Sequence, residues 1–535
     1  MDVGTLAVAD TPAATEPGAG VPAPAAVRPR GNAERHIRGS SLLLAGRVLS
    51  RGTNFLVQVL IVRYLTVTEY GGFAYALSIV SAGQTIATCG LDKAVSRFVP
   101  LYQERRDFDR LFGTLLLVTG VVLSLGLAFA LALHGFGAST GPLLDDPGAQ
   151  AVLLILVFLV PLQAIDDLIV GLFAVFAHPA AIFFRRHVLA PGLKLAVVLL
   201  LVFTQSTIFF LAVGYVLASL VGVAVYGVML VRLLRADGLL GRWATCTVRV
   251  PWRDLAGFTG PLLVSDLVLV VMHTLTVVLL QFFHGLDAVA MFRAQQPIAA
   301  VNQIVMVSFA TLFTPTASRL FARGDRHGVN ALYWRTAMWI AVLSFPIFAL
   351  TCSLAGPTTR MLLGPRYQES ATLLALLAIG YYFNAALGFN GLTLKIYGRV
   401  CYVLVISVVT VLIGVAASIA LIPFYGALGA AIATCLAMIV HNVLKQTGLR
   451  LGTGIDVFDW GYLRGYVVIL LSAAGVWALA RLADVPFYWN PIAAAVGTLL
   501  VFRCNRHLLD LEQTFPEVRR VPLLRRLVGV SAERN

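Results

Sequence analysis

The sequence carries little charge. Asp, Glu, Lys and Arg make up 12% of its 535 residues, whereas hydrophobic residues make up 59%. A typical soluble domain has about 25% charged residues, so a water-soluble fold is excluded. Fourteen apolar stretches reach the length of about 20 residues that a helix needs to cross a bilayer. The sequence therefore predicts an all-α, polytopic membrane protein with about 14 transmembrane helices, arranged as two six-helix lobes plus a C-terminal helix pair.

The sequence also lacks the motifs of common catalytic and metal sites. Its six cysteines are scattered singly, without the spacing of a zinc site or a disulfide framework. No P-loop, glycine-rich nucleotide fingerprint or nucleophile elbow is present. We therefore expect no enzyme activity, no metal and no cofactor, apart from coupling to an H⁺ or Na⁺ gradient. The pair Asp145–Asp146 either supplies catalytic acids, as in membrane glycosyltransferases, or forms a polar turn.

Composition divides the chain into six predicted segments. Residues 1–40, rich in Ala, Pro and Gly, are expected to form a disordered cytoplasmic tail. The other segments are the N-lobe at 41–235, a cytoplasmic linker at 236–256, the C-lobe at 257–450, helices 13 and 14 at 451–503 and a basic cytoplasmic tail at 504–535. The basic tail either lies on the membrane as an amphipathic segment or is solvated.

The distribution of basic residues predicts the orientation. Lys and Arg number 40 against 26 Asp and Glu, which gives a net charge of +14. With the N-terminus in the cytoplasm, 32 of the 40 fall in cytoplasmic segments and four on the outer side: Arg63, Arg360, Arg366 and Arg481. The remaining four lie within predicted membrane helices: Arg47, Arg51, Lys194 and Arg293. This bias follows the positive-inside rule, so we expect a multi-pass protein of the cytoplasmic membrane with both termini in the cytoplasm. Anionic lipid headgroups in the bilayer account for the charge without a nucleic-acid partner.

The two halves of the sequence repeat each other at a distance of 218 residues. LIVRYLTVTEYGGFAYA at Leu60–Ala76 aligns with VLLQFFHGLDAVAMFRA at Val278–Ala294, and the same shift aligns Asp107 with Asp325. Each segment contains an apolar helix, an acidic residue in a short turn and a second apolar helix. Many secondary transporters build two lobes around a central site by such duplication, so the repeat favours a transporter.

The first predicted helix carries a polar stripe. Arg47, Arg51, Asn54 and Gln58 recur at i, i+4, i+7 and i+11 and lie within about 60° of one another on a helix. Arg51 lies about 15 Å inside that helix at a rise of about 1.5 Å per residue. A charge at that depth is costly unless it faces water or a partner. We expect the stripe to line a cavity; the alternative is that both arginines extend towards the cytoplasm.

A second candidate is Lys194, about two turns inside its helix and just after Pro191, which is expected to kink that helix. An ammonium group at that depth must point into the bundle or pair with a carboxylate. Asp166 and Asp167 on the preceding helix are candidate partners. Lys194 is therefore expected either to line the cavity or to form a structural ion pair.

The second half has its own polar residues. Asp266 and His273 are seven residues apart and share a predicted helix face, as do Gln296 and Gln303 on the next helix, which also carries Arg293. Arg293, Gln296 and Gln303 are candidate substrate contacts. A buried Asp or His could exchange protons during a transport cycle. Equally, Asp266 could simply neutralise an arginine across the lobe interface.

Three segments resemble a known family. They are GRVLSRGTNFLVQVLIVRYLTVTEYGGFAYALSIV at Gly46–Val80, LLGPRYQESATLLALLAIGYYFNAAL at Leu362–Leu387 and YGALGAAIATCLAMIV at Tyr425–Val440. They are similar to the polysaccharide-transporter branch of the multidrug/oligosaccharidyl-lipid/polysaccharide exporters, and the resemblance covers residues 38–505.

This resemblance implies a Wzx-type flippase for polyprenyl-pyrophosphate-linked oligosaccharides, working by alternating access with the machinery of polysaccharide polymerase or glycosyltransferase as partner. Arg47, Arg51 and Lys194 would bind the phosphates. Amide side chains would bind sugar hydroxyls: Asn54, Gln58, Gln296 and Gln303. The alternatives are a cation-coupled drug exporter, a lipid II flippase and a membrane glycosyltransferase.

Overall fold

The computed structural model describes residues 30–140, 144, 146–175, 182–236, 238, 241, 247–456, 458–482 and 489–509. Within these ranges every regular element is a helix, which confirms the all-α class. The helices of the first half are α1 (Arg30–Tyr64), α2 (Val67–Thr88), α3 (Leu91–Glu104), α4 (Phe108–Thr140), α5 (Pro147–Leu156), α6 (Leu159–Val175), α7 (Ala190–Thr204) and α8 (Ile208–Ala236). A π-helical segment, Phe183–Leu189, leads directly into α7.

The second half begins with a long helix that is broken once. Its helices are α9 (Trp252–Ala300), α10 (Ile304–Ala322), α11 (Arg326–Phe348), α12 (Ala355–Leu363), α13 (Ala371–Ala386), α14 (Asn390–Ile396) and α15 (Val400–Thr453), followed by the final pair α16 (Leu463–Leu482) and α17 (Asn490–Leu509). Gly285 interrupts α9 and Gly426 interrupts α15 with non-helical backbone angles. Each of these long helices therefore consists of two helices joined at a glycine.

Eleven stretches of the described chain are long and apolar enough to cross a membrane. Two of them, of 51 and 54 residues, contain the breaks at Gly285 and Gly426, and α1 is not among the eleven. The protein is therefore a multi-pass membrane protein. The count of fourteen spans and the division into lobes and tails stay predictions.

The helix boundaries differ from the predicted ones at both ends of the chain. α1 begins at Arg30, so residues 30–40 are helical and not disordered as expected. The prediction followed hydropathy, but Ala, Glu and Arg in this polar stretch are good helix formers. At the other end α17 extends to Leu509, beyond the predicted boundary at 503. The rest of the two predicted tails and Asp145 lie outside the described residues.

The duplication is visible in the backbone of two turns. Arg106 before α4 and Gly324 before α11 both have a positive φ, +55° and +72°. The amides of the next residues, Asp107 and Asp325, donate to the carbonyl five residues earlier, at 2.9 and 3.1 Å. Their carboxylates accept the amide three residues later, at 3.1 and 2.7 Å. The shift of 218 residues relates all of these positions, which confirms the predicted repeat at this turn.

The turn between α1 and α2 has a different counterpart in the second half. Thr66 caps α2 in a reciprocal capping box with Glu69, so α1 and α2 are separate helices. The equivalent part of the second half is the break at Gly285, where φ is +75° within α9. We call the end of the bundle that holds Arg63 and Gly285 the Arg63 end, and the opposite end, which holds Arg97, the Arg97 end.

The two halves pack against each other through α2 and α9. Gly71 approaches the backbone of Leu286 so closely that a Cβ on Gly71 would lie 2.1 Å from the Leu286 carbonyl oxygen. One turn away, the Thr68 hydroxyl donates to Asp287 at 2.7 Å. The absence of a side chain at Gly71 is therefore a condition of this contact.

Further contacts between the halves lie at both ends of the bundle. At the Arg63 end the guanidinium of Arg63 donates to the backbone carbonyls of Leu362 at 2.9 Å and Met361 at 2.5 Å. At the Arg97 end the guanidinium of Arg97 lies 4.5 Å from the ring centroid of Phe258 in α9. The first half is thus held to the second half at both ends of the bundle, through α1 at one end and α3 at the other.

Candidate functional site

The first helix exposes two faces of opposite character. Arg47, Arg51 and Asn54 are exposed, and so are Leu49 (54%) and Leu56 (48%). At about 100° per residue, the three polar residues lie roughly 140–200° around the helix from Leu49. The leucines suit contact with lipid, whereas exposed arginines within a membrane need water or a charged partner. The polar face is therefore suited to line a water-filled passage.

The third face of α1 is buried against the π-helical segment and sets the rotation of the helix. Ser50 is buried, and its Oγ lies 3.0 Å from Nδ1 of His187. Gly46, one turn earlier, allows the close approach, since a Cβ there would lie 2.7 Å from the rings of His187 and Phe183. At about 100° per residue the polar residues lie roughly 40–100° around the helix from Ser50, so the polar face adjoins the face that packs on the π-helical segment.

The polar stripe of α1 continues to a cluster between the two halves. Gln58, about 10 Å along the helix from Arg51, donates from Nε2 to the hydroxyl of Tyr70 in α2. Arg293 in α9 lies within electrostatic range of Tyr70, and its Nη1 donates to Oε1 of Gln296 at 2.7 Å. Three predicted site residues from the two halves are thus brought to one place, through a tyrosine that the sequence did not single out.

The other predicted glutamine, Gln303, lies in a 3₁₀ turn between α9 and α10. The fully buried amide side chains of this region are those of the residues just before Gln296 and Gln303, namely Gln295 and Asn302. Gln295 donates to the hydroxyl of Ser370 at 2.7 Å, and Asn302 donates to that of Thr351 at 2.9 Å. The members of the predicted pair, Gln296 and Gln303, are seven residues apart, and so are Gln295 and Asn302. Spacing alone could therefore not show which pair is buried.

Lys194 lies in a polar cavity of about 240 Å³ inside the first half. Its ammonium nitrogen is 5.7 Å from the centroid of the Tyr215 ring. The other polar side chains of the cavity come from α2, α6, α8 and the π-helical segment: Gln84, Gln163, Asp166, Asp167, Arg185 and Ser219. The residues of the described chain that line this cavity include none of the α1 stripe, so Lys194 and the stripe do not share it.

The two aspartates considered as partners of Lys194 have other closest partners. Asp166 forms an ion pair of 2.7 Å with Arg185, which is only 4% exposed. Asp167 accepts a hydrogen bond of 2.6 Å from Nε2 of Gln84. Arg185 and Asp166 also lie within electrostatic range of Lys194. Arg185 was not among the predicted site residues, because the π-helical turn that directs its side chain inward leaves no mark in hydropathy.

The two residues considered for proton coupling lie in different surroundings. Asp266 forms an ion pair of 2.5 Å with Lys93 of α3, so it neutralises a lysine of the other half in place of the expected arginine. His273 is exposed and lines a narrow pocket together with Gln296. In the described part of the chain no group of three His, Cys, Asp or Glu side chains is placed to hold a metal ion.

Solved structures with a similar fold include two kinds of transporter. The lipid II flippase MurJ, in an inward closed conformation, matches with a TM-score of 0.68 over 90% of this chain and 100% of its own, at 13% identity. An inward-facing multidrug resistance MATE family transporter of the MOP superfamily matches with a TM-score of 0.56 over 75% of this chain and 93% of its own, also at 13% identity. At these identities the likeness establishes the fold alone.

Duplicated helical halves with charged residues between them define a multi-pass membrane transporter of the polysaccharide exporter superfamily. The chain belongs to the family described as polysaccharide biosynthesis protein, which matches residues 37–321. The succinoglycan biosynthesis transport protein ExoT of Rhizobium meliloti is 24% identical over 360 residues, 66% of this chain and 67% of that protein. An uncharacterized membrane protein of Methanocaldococcus jannaschii is 23% identical over 439 residues, 77% of this chain and 83% of that protein.

Proposed function

We propose that the protein is a flippase that moves polyprenyl-pyrophosphate-linked oligosaccharides from the cytoplasmic to the outer leaflet of the cytoplasmic membrane. It would act by alternating access of its two halves, with the Arg97 end and both termini in the cytoplasm, and would supply lipid-linked units for cell-surface polysaccharide. Membership of the polysaccharide biosynthesis family supports this reading, as do the names of the succinoglycan transport relative and the lipid II flippase.

The observation that carries the proposal is the polar face of α1. Arg47 and Arg51 are exposed on the side of the helix away from its exposed leucines. A pyrophosphate group carries at least two negative charges and cannot enter hydrocarbon without compensating cations. The planar guanidinium groups suit phosphate oxygens because they donate two parallel hydrogen bonds. The headgroup would pass from these arginines to Arg293 in the contact between the halves.

The remaining site residues have supporting roles in this proposal. Lys194 would attract the phosphates from its cavity in the first half, and amide side chains beside the arginines would bind sugar hydroxyls. These amides are Asn54, Gln58, Gln296 and Gln303. Proton coupling would use Asp266 and His273, because separating the halves at the Arg97 end must break the pair of Asp266 with Lys93 and leave the carboxylate free to take up a proton.

A drug exporter of the same fold is the second candidate. Such an exporter handles cationic compounds and needs acidic groups in its passage, whereas in the part of α1 whose side chains the structure describes, residues 46–64, the exposed charged groups are arginines. A lipid II flippase would have the same need for cations as the proposed function, so only the identity of the cargo separates these two.

The proposal is tested by mass spectrometry of lipid extracts from cells that lack the protein, with surface glycan measured in parallel. We expect a complete lipid-linked oligosaccharide to accumulate while the surface glycan disappears. Complementation with the double variant R47Q/R51Q should reduce export at least about tenfold, since a charge-assisted hydrogen bond contributes roughly 1.5–3 kcal/mol.

A matched control is R232Q, which removes one charge from an exposed position near the end of α8. It should complement fully at equal expression. Full export by R47Q/R51Q would refute the role of α1. Accumulated lipid II would identify the other cargo, truncated glycan intermediates would indicate a glycosyltransferase, and an unchanged lipid profile with drug sensitivity would indicate a drug exporter.

A further inference from the structure

The second half contains a cluster of basic side chains away from the contact between the halves. His441 and Lys445 lie one turn apart on α15 and are half-buried, and Lys395 lies on the short helix α14. Lys445 is close enough to interact electrostatically with both the imidazole of His441 and the ammonium group of Lys395. We refer to these three residues as the Lys445 cluster.

Glycine at position 391 allows the cluster to form. The Nζ of Lys445 lies 3.3 Å from where a Cβ of Gly391 would be, so the lysine extends across the face of α14. Gly391 and Lys395 are four residues apart and therefore share that face. A hydrogen bond of 3.1 Å from Asn390 to Asn442 joins α14 to α15 beside it. The two helices are thus held with their basic faces towards each other.

The cluster is not neutralised by the protein around it. Among the residues that the structure describes, none of its three members takes part in an ion pair. The Nε2 atom of His441 is buried and has no hydrogen-bond partner in the same set of residues. Close like charges repel, and the repulsion is stronger where water is partly excluded. An anion between these groups would remove the repulsion and satisfy the imidazole.

A role in membrane topology alone does not explain the cluster. α15 ends at Thr453, so at a rise of about 1.5 Å per residue Lys445 lies about 12 Å and His441 about 18 Å inside the helix end. Topology is set by basic residues in loops and at helix ends. Arg450 meets that description, since it is exposed in the last turn of the same helix.

We propose that the Lys445 cluster is a binding site for a phosphate group. A tetrahedral phosphate presents several oxygens in different directions, and donors from two helices can contact it at once. The phosphate could belong to a soluble or substrate pyrophosphate or to the headgroup of an anionic lipid. The site is separate from the proposed contacts on α1, so either can fail without the other.

The test measures binding of inorganic pyrophosphate to the full-length protein by calorimetry. The protein carries R47Q/R51Q, which removes the proposed contacts on α1, and is placed in nanodiscs of phosphatidylcholine. Adding K395Q/K445Q should weaken binding at least about tenfold, because two charge-assisted contacts are lost. Adding R450Q instead should change affinity less than about twofold. The charge-preserving K445R should retain binding, which separates loss of charge from misfolding.

A second arm identifies the source of the phosphate by native mass spectrometry with phosphatidylglycerol. Pyrophosphate binding that depends on the cluster indicates a soluble or substrate phosphate. Retention of phosphatidylglycerol that is lost in K395Q/K445Q, without pyrophosphate binding, indicates a lipid headgroup. The proposal is overturned if the parent binds neither probe, if K395Q/K445Q binds like the parent, or if R450Q causes an equal loss.

Discussion

The turn before α4 and the turn before α11 use the same hydrogen bonds and the same positive φ at Arg106 and Gly324. At the Arg63 end the halves differ. The first half stops one helix and starts another with the capping box of Thr66 and Glu69, whereas in the second half two helices join directly at Gly285, which has non-helical backbone angles. Duplication has therefore kept the topology of the bundle while the local means of turning the chain diverged.

The halves also differ in how they treat charge. In the first half the buried Arg185 is paired with Asp166 at 2.7 Å. In the second half Lys445 lies near another cation, Lys395, and no ion pair within the described residues includes it. A paired buried charge is part of the folded structure, whereas an unpaired one is suited to a ligand. The comparison predicts that removing a charge costs much more stability at Arg185 than at Lys445.

The largest effect is expected for R185Q, which leaves the half-buried Asp166 without its ion-pair partner. The free energy of unfolding should fall by about 3–5 kcal/mol, the range for breaking one side of a buried pair. K445Q removes a charge that has no ion-pair partner among the described residues. It should change the free energy of unfolding by less than about 1 kcal/mol. Equilibrium unfolding in mixed micelles measures both. The double variant R185Q/D166N should recover part of the loss, and similar values for R185Q and K445Q would remove the distinction between the halves.

A smaller effect is expected for G285A. A Cβ on Gly285 would meet no atom within 4 Å, so the cost is backbone strain alone, about 1–3 kcal/mol for this region of φ and ψ. The equivalent position in the first half is Val67, at the start of α2, where any residue with helical angles is accepted. V67A should therefore cost less than G285A in the same unfolding measurement. If V67A and G285A lowered the free energy of unfolding equally, the break at Gly285 would have no special requirement for glycine.

The sequence was sufficient for those features that depend on hydropathy and helical spacing. It predicted the helical class, the repeat and the polar stripe through Arg51, because each leaves a periodic pattern. It did not predict the pair of Arg185 with Asp166, because the π-helical segment changes the direction of the side chain without changing composition. It also did not single out Tyr70 or the Lys445 cluster, since both depend on helices that are distant in sequence.

The smallest effect concerns the turn that the two halves share. Arg106 has a φ of +55°, which costs a residue with a side chain about 1–2 kcal/mol, while glycine loses about 0.5–1 kcal/mol more conformational freedom on folding. R106G should therefore stabilise the protein by about 0.5 kcal/mol, since the Arg106 side chain is exposed. In the second half the equivalent residue, Gly324, is already a glycine with a positive φ. G324A has open space for its Cβ and should destabilise by about 1 kcal/mol. Unfolding midpoints that move in the same direction for both variants would mean that the two turns, although alike in hydrogen bonding, do not bear the same backbone strain.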